Sequence, residues 1–349
     1  MSESPLMLKA LRFEDIPRPP VWLMRQAGRY MKEYRALKER YTFLELCRSP
    51  ELAVEVSLQP MKEFDMDASI IFADILLPLE PMGIGIDFNP GPSIENKIKT
   101  SSDVKALKTK DVAEQCSFVG QAINSLKKEL NSNREDKKTI LGFAGAPWTL
   151  ACYILDQGPL KNFAGSLVFA NQNPEATKLL LNKLTDVIEE YLLMQIEAGA
   201  DAVQLFDTWA GLLPEKEFRD IAFSPAARII EKIKKTGTPI IYYANGASHL
   251  IPAMLETAPN CIGIDSRTPL GETIELAKVK KIAVQGNYEA GSLFKSAESV
   301  KEETEKMLSN LSNPTGYITN LGHGVLQRTP IESVRSFVDT VKNSSATWK

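Results

Sequence analysis

The chain has 349 residues, 44% of them apolar and 24% charged, with a formal net charge of −3. That composition suits a full globular core, and the length suits one large α/β barrel, a fold that commonly runs to ~250 residues or more as a single unit. So small a net charge excludes a global basic field for nucleic acid or an anionic membrane, so an anionic ligand must be held by a local cluster of Arg or Lys.

The opening residues, MSESPLMLKAL, lack the basic start and long apolar core of a signal peptide. The first apolar run, PVWLMRQ (20–26), predicts a strand that ends in Arg25 and Gln26. Arg29 follows after Ala27 and Gly28. Two readings compete. On a helix, residues four apart share a solvated face. In an anion site, the small residues would let a ligand reach both guanidinium groups and the backbone. The second run, ASIIFAD (68–74), predicts another strand and places Asp74 between apolar neighbours. An unpaired carboxylate there is costly, so it needs donors, from a helix N-terminus or from a ligand. The most apolar stretch, 70–86, is broken by Asp74, Pro78, Glu80 and Pro81 and so cannot span a membrane. Within and just beyond it, MGIGIDFNPGPSIENKI (82–98) predicts a hairpin inserted above the barrel.

LKKELNSNREDKK (126–138) reads as a helix end and an exposed loop. TILGFAG (139–145) is the third strand, running into Ala146, Pro147 and Trp148 with Tyr153 soon after. Asn173 and Pro174 open a long amphipathic helix that stops at Gly199. DAVQLFD (201–207), PIIYYAN (239–245), NCIGID (260–265), KIAVQGN (281–287) and TGYITNLGHG (315–324) complete the strands, with another amphipathic helix at 296–314. Short, nearly continuously apolar runs alternating with helices predict a (β/α)8 TIM barrel. An open doubly wound sheet is second, since no G-x-G-x-x-G turn follows the first strand.

A barrel carries its active site at the C-terminal ends of its strands. Arg25, Gln26, Asp74, Tyr153, Thr208 and His323 therefore converge although they are far apart in sequence. Each has a plainer reading: Tyr153 as core packing, Thr208 as a turn or N-cap residue, His323 as a buried structural histidine. Glycines on both sides of His323 speak for a close backbone approach. Cys47, Cys116, Cys152 and Cys261 form no C-x-x-C pair, and only His249 and His323 could join them. That is poor material for zinc and no disulfide framework, which points to a reducing, cytoplasmic setting.

MRQAGRY (24–30), CRSPELA (47–53), DASIIFADIL (67–76), GFAGAPWTL (142–150) with Tyr153, QLFDT (204–208) and NLGHG (320–324) occur in one order along the chain. Together they resemble the uroporphyrinogen decarboxylase family over nearly the whole length. The resemblance implies a single barrel domain over 1–349, a homodimer with facing clefts, and no metal or organic cofactor. It implies removal of CO2 from the four acetates of uroporphyrinogen III to give coproporphyrinogen III. By resemblance, Arg25, Gln26, Ala27, Gly28, Arg29, Asp74, Tyr153, Thr208 and His323 bind substrate, and Arg25, Asp74, Tyr153 and His323 serve catalysis.

The chemistry fits these residue types. A substrate with eight carboxylates asks for arginine, whose planar fork grips carboxylate and stays charged. Asp74 would repel such a polyanion unless it faces the inner pyrrole N–H groups, where acceptors are wanted. A protonated pyrrole ring can accept the electrons released with CO2, so the substrate is its own electron sink. The chain departs from the family pattern at Asp265-Ser266-Arg267, at GNYEA (286–290) and at Gln327-Arg328-Thr329, and Lys38 stands where some relatives carry arginine. A methyltransferase on a related barrel would need a zinc-thiol site with a His-x-Cys pair, which the chain lacks. A non-catalytic polyanion binder would use the same arginines but not Asp74.

Overall fold

Among the described residues, seven parallel strands curl into one sheet in the computed structural model, which describes residues 4–88, 91–95, 98–132, 134–156 and 164–344. In chain order, β1 is Ala68–Ile70, β2 Ile86–Asp87, β3 Ser93–Ile94, β4 Thr139–Gly145 and β5 Ala202–Asp207. β6 is Ile240–Ala244, β7 Cys261–Gly263, β8 Ala283–Tyr288 and β9 Tyr317–Leu321. The large sheet runs β1-β4-β5-β6-β7-β8-β9, and β2 pairs antiparallel with β3. The small pair is the hairpin expected after the second strand; positions 89–90 and 96–97 of that stretch lie outside the described residues.

The barrel closes where the first strand was expected, but there only Val21 pairs. It forms an isolated parallel bridge to Thr319, and its carbonyl accepts from the Asp67 N–H at 2.9 Å. Side chains explain the shortfall. Pro19 and Pro20 have no N–H to give a ladder. The Val21 N–H is taken by the Asp67 carboxylate at 2.8 Å, which Arg18 also grips with two bonds of 2.8 Å. The Met24 N–H goes to Asn320 Oδ1 at 3.1 Å. The segment thus sits in the eighth position of the barrel, held partly by backbone bonds to Thr319 and Asp67 and partly by the side chains of Asp67 and Asn320.

Alternation along the strands separates two cores. Inward residues Met24, Leu141, Ile241, Cys261, Ala283 and Ile318 fill the lumen, and the helix Leu6–Leu11 plugs its N-terminal end with Met7, Ala10 and Leu11. A polar thread crosses this lumen: Trp22 Nε1 donates to Gln285 Oε1 at 2.9 Å, and Gln285 Nε2 donates to Gln204 Oε1 at 3.0 Å. Outward residues such as Ile140, Val203, Leu205 and Tyr242 pack in the same core as the helix Pro174–Glu197 and its Leu180, Leu184 and Ile188. That helix begins after Asn173 with Pro174 in its first turn, and Gly199 at φ +115° turns the chain away from it. No described helix is long and apolar enough to cross a membrane.

Candidate active site

The floor of the mouth is aromatic. Phe143, Phe206 and Tyr243 project inward from the neighbouring strands β4, β5 and β6. Phe206 stands edge-on to Phe143 (centroids 5.7 Å, 89°) and to Tyr243 (5.7 Å, 68°), the favoured aromatic geometry. None of the three stood out in sequence, because in a continuous apolar run every phenylalanine reads as core. Counting every second position back from Gly145 marks Phe143 as the last inward ring before the mouth, and Phe206 holds that place on β5 because Asp207 faces outward to Tyr242.

The Arg25–Arg29 stretch is not a helix. Arg25 has φ +56°, and tight turns follow in which Gln26 N–H donates to Leu23 O (3.0 Å) and Met31 N–H to Gly28 O (2.9 Å). The shared-helix-face reading therefore fails. Both arginines are exposed, and neither has a carboxylate partner among the described residues. The N–H groups of Ala27 and Gly28 likewise meet no protein acceptor among the described residues. Gln26 behaves differently from the expectation. It is buried, with Oε1 3.4 Å from Leu23 N and Nε2 3.4 Å from Ala68 O, and its own N–H is spent in the turn. It braces the loop from below and offers nothing to a ligand.

The close approach anticipated around His323 occurs at Gly324. A Cβ there would lie 2.5 Å from Arg25 Cδ and 2.7 Å from its Cγ, so the bare backbone is what lets the arginine stem lie flat. Val325 N–H donates to Met24 O at 2.9 Å and fixes the two loops together. His323 itself is exposed at the rim, with Nδ1 3.3 Å from Gly324 O. It is thus not the buried structural histidine of the plainer reading. Burial of its inner side, and then the charge of Arg25, hold its pKa below the ordinary value, so the ring is neutral near pH 7.

Asp74 follows β1 and is partly buried. Its Oδ1 accepts from Leu76 N–H at 2.9 Å, and no donor reaches Oδ2 among the described residues. Burial raises its pKa to about 6, against the pull of the Leu76 N–H and of Arg25. Tyr153 lies in the helix Pro147–Asp156, its ring 6.2 Å from that of Trp209. Its pKa is raised by burial and next by the charge of Asp74, while Arg25 opposes. Arg25, Asp74 and Tyr153 thus share one electrostatic neighbourhood.

Thr208 sits in the turn after β5, partly exposed and making no hydrogen bond among the described residues; the N-cap position of the next short helix belongs to Trp209. Its neighbour Asp207 is fully buried, accepting from Thr149 Oγ1 and Tyr242 OH at 2.8 Å each. Burial raises its pKa to about 6 against those two donors. That knot ties the start of the Tyr153 helix to β5 and β6. Lys38 donates to Tyr41 O at 3.3 Å, and burial followed by the charge of Arg29 lowers its pKa, which puts it beside the arginine pair. Among the described residues no group of three or more His, Cys, Asp or Glu could hold a metal ion.

At the mouth, among the described residues, Arg25 and Arg29 have no carboxylate partner and Asp74 Oδ2 has no donor. Comparison with known proteins gives the family. The sequence profile of the family described as "Uroporphyrinogen decarboxylase (URO-D)" matches residues 2–344. The chain belongs to the uroporphyrinogen decarboxylase family. It is 40% identical over 341 residues to a uroporphyrinogen decarboxylase of Carboxydothermus hydrogenoformans, covering 97% of this chain and 96% of that one. It is 40% identical over 340 residues to that of Prochlorococcus marinus, covering 96% of each. Among solved structures, a methyltransferase from Methanosarcina mazei superposes with a TM-score of 0.79 at 17% identity, over 96% of this chain and 97% of the other. At that identity the likeness speaks for the barrel fold alone. The Ser266–Glu289 hydrogen bond brings Ser266, Arg267 and Glu289 together on the β7–β8 side of the mouth.

Proposed function

We propose that the cleft binds uroporphyrinogen III and removes CO2 from its four acetate side chains, leaving coproporphyrinogen III, in porphyrin and haem biosynthesis. Decarboxylation is the activity named for the relatives, and the chain is a carboxy-lyase of that family. The observation that carries the reading is Asp74: a partly buried carboxylate with one oxygen free of donors, in the field of Arg25. A site for a simple polyanion has no use for it. A ring whose centre presents N–H groups and whose edge presents carboxylates does.

In this reading Arg25 and Arg29 hold peripheral carboxylates, helped by the free N–H groups of Ala27 and Gly28. Asp74 accepts the pyrrole N–H groups, and the macrocycle rests against the Phe206 floor. Tyr153, Thr208 and His323 hydrogen-bond the remaining carboxylates. A proton adds to the ring carbon next to the one bearing an acetate arm, making an iminium-like cation whose charge reaches the acetate-bearing carbon. The C–CO2 bond then breaks, its electron pair flows into that cation, and the exocyclic methylene takes a proton as the ring carbon returns its own. Each acetate thus becomes a methyl group with one CO2 released and one proton consumed. Ionised Asp74 stabilises the cation, a preorganised charge of the kind worth roughly 3–4 kcal/mol, or on the order of 10²–10³ in rate. A guanidinium keeps its charge, which makes arginine a reluctant proton donor. His323, neutral in the free enzyme, gains a proton when a substrate carboxylate settles beside it.

The same reading makes residues 1–349 one domain acting in the cytoplasm as a homodimer, with no metal or cofactor added to the reaction. The test is anaerobic incubation of the purified chain with uroporphyrinogen III, followed by chromatography of the oxidised products. Stepwise appearance of hepta- to tetracarboxylates without added metal or cofactor is expected. No loss of carboxylates would sink the assignment.

A further inference from the structure

β7 leads into Asp265, Ser266 and Arg267, and the local geometry leaves one cation there only partly engaged. Asp265 is 3% exposed, and backbone donors occupy its carboxylate. Gly246 N–H and Arg267 N–H (2.8 Å) donate to it, with the Thr268 hydroxyl at 3.4 Å. These bonds lock the turn so that the Arg267 side chain lies over the loop after β6. Gly246, at φ +68°, makes the room: a Cβ there would sit 2.7 Å from Arg267 Nη2. Among the described residues the guanidinium makes one hydrogen bond, to Asp265 Oδ2 at 3.2 Å, and the side chain is 69% exposed.

Asp265 shares its charge with the backbone donors of its turn, and the second acid nearby is engaged elsewhere. Glu289 accepts from the Ser266 hydroxyl and, at 3.0 Å, from Gly291 N–H. On the cleft side, Arg267 and Arg25 both act electrostatically on the phenol of Tyr243, the floor ring that β6 contributes. Two under-used guanidinium groups therefore border the same aromatic floor, one from the Met24–Arg25 loop and one from the end of β7.

We propose that Arg267 is a third substrate-binding cation of the cleft, gripping a peripheral carboxylate of the tetrapyrrole on the β7 side of the mouth. The inference rests on the reading of the cleft as a uroporphyrinogen site. It makes the Ser266–Glu289 bond functional too, because that bond keeps an acid occupied beside a cation that substrate needs free.

The experiment compares wild type, Arg267→Ala and Arg267→Lys by two measurements. The first is fluorescence titration with uroporphyrin III, the oxidised octacarboxylate. The second is steady-state decarboxylation of uroporphyrinogen III. Arg267→Ala should raise both Kd and KM ~10-fold, at the low end for a charge-assisted contact, with kcat within about twofold. Arg267→Lys should recover part of the loss, and the melting temperature should stay unchanged. Kd and KM within about twofold of wild type would overturn the proposal. So would equal losses in Ala and Lys accompanied by a lowered melting temperature, the mark of a role only in holding the Asp265 turn. If wild type binds the porphyrin but releases no CO2, the proposed function fails while the titration still decides Arg267.

Discussion

Replacing Asp74 with Asn separates what this carboxylate does for catalysis from what it does to the fold. Asn keeps the shape and keeps an oxygen for the Leu76 N–H, now 2.9 Å from Oδ1. It removes the charge. Burial holds the carboxyl at about pKa 6 in the folded chain, against ~3.9 for an aspartate in an unfolded one. A carboxyl that binds its proton more tightly when folded weakens the fold once it ionises. The penalty is absent below about pH 4, grows between about pH 4 and 6, and is complete above about pH 6. At ~1.4 kcal/mol per unit, a shift of roughly two units amounts to about 2–3 kcal/mol. Asp74→Asn should therefore be more stable than wild type by that order at pH 8, with the gap shrinking on the way to pH 5. Its turnover should fall on the order of 10²–10³-fold. The part of the wild-type acid limb of kcat/KM near pH 6 that Asp74 causes should vanish, since that carboxyl is gone. Urea unfolding of both proteins from pH 5 to 8, with product chromatography alongside, measures all three. A variant that is less stable at pH 8, or that keeps turnover within about tenfold of wild type, would refute the reasoning.

Gly324→Ala should act through Arg25. The new methyl would displace the arginine stem, now 2.5–2.7 Å from that point, so KM should rise several-fold with little change in unfolding midpoint. Asp207→Ala should destabilise the chain by about 2–4 kcal/mol, because it strands two buried hydroxyls on Thr149 and Tyr242; chemical denaturation reads this directly. Trp22→Phe should cost about 1–3 kcal/mol by leaving Gln285 Oε1 without its lumen donor, again seen as a lowered unfolding midpoint with cleft binding of uroporphyrin intact.

Much of the fold was legible because its signals are local. β4 coincides with TILGFAG, and, except that β8 runs one residue further to Tyr288, the other strands of the large sheet lie within the remaining apolar runs, because buried parallel strands need continuous apolar sequence. The long helix began at its Asn173-Pro174 signal and the chain turned at Gly199 as expected. PVWLMRQ looked as much like a strand as the others, yet only Val21 pairs. The N–H groups of Val21 and Met24 are claimed by the side chains of Asp67 and Asn320, which lie 46 and 296 positions away. No local pattern contains that competition.

The site divides along the same line. Charged and hydroxyl groups at the ends of apolar runs mark themselves, so Arg25, Arg29, Asp74, Tyr153, Thr208 and His323 could be named from the chain alone. Tertiary structure decided what each is free to do. Gln26 was spent inside the loop, Asp207 was buried under two hydroxyls, and Glu289 was occupied by Ser266, while Arg25, Arg29 and one oxygen of Asp74 were left open. Sequence determines which groups can make charged and polar contacts. Only the folded chain decides which of those contacts are already made, because a hydrogen bond is a property of two groups at one distance and the distance is set by everything else that packs.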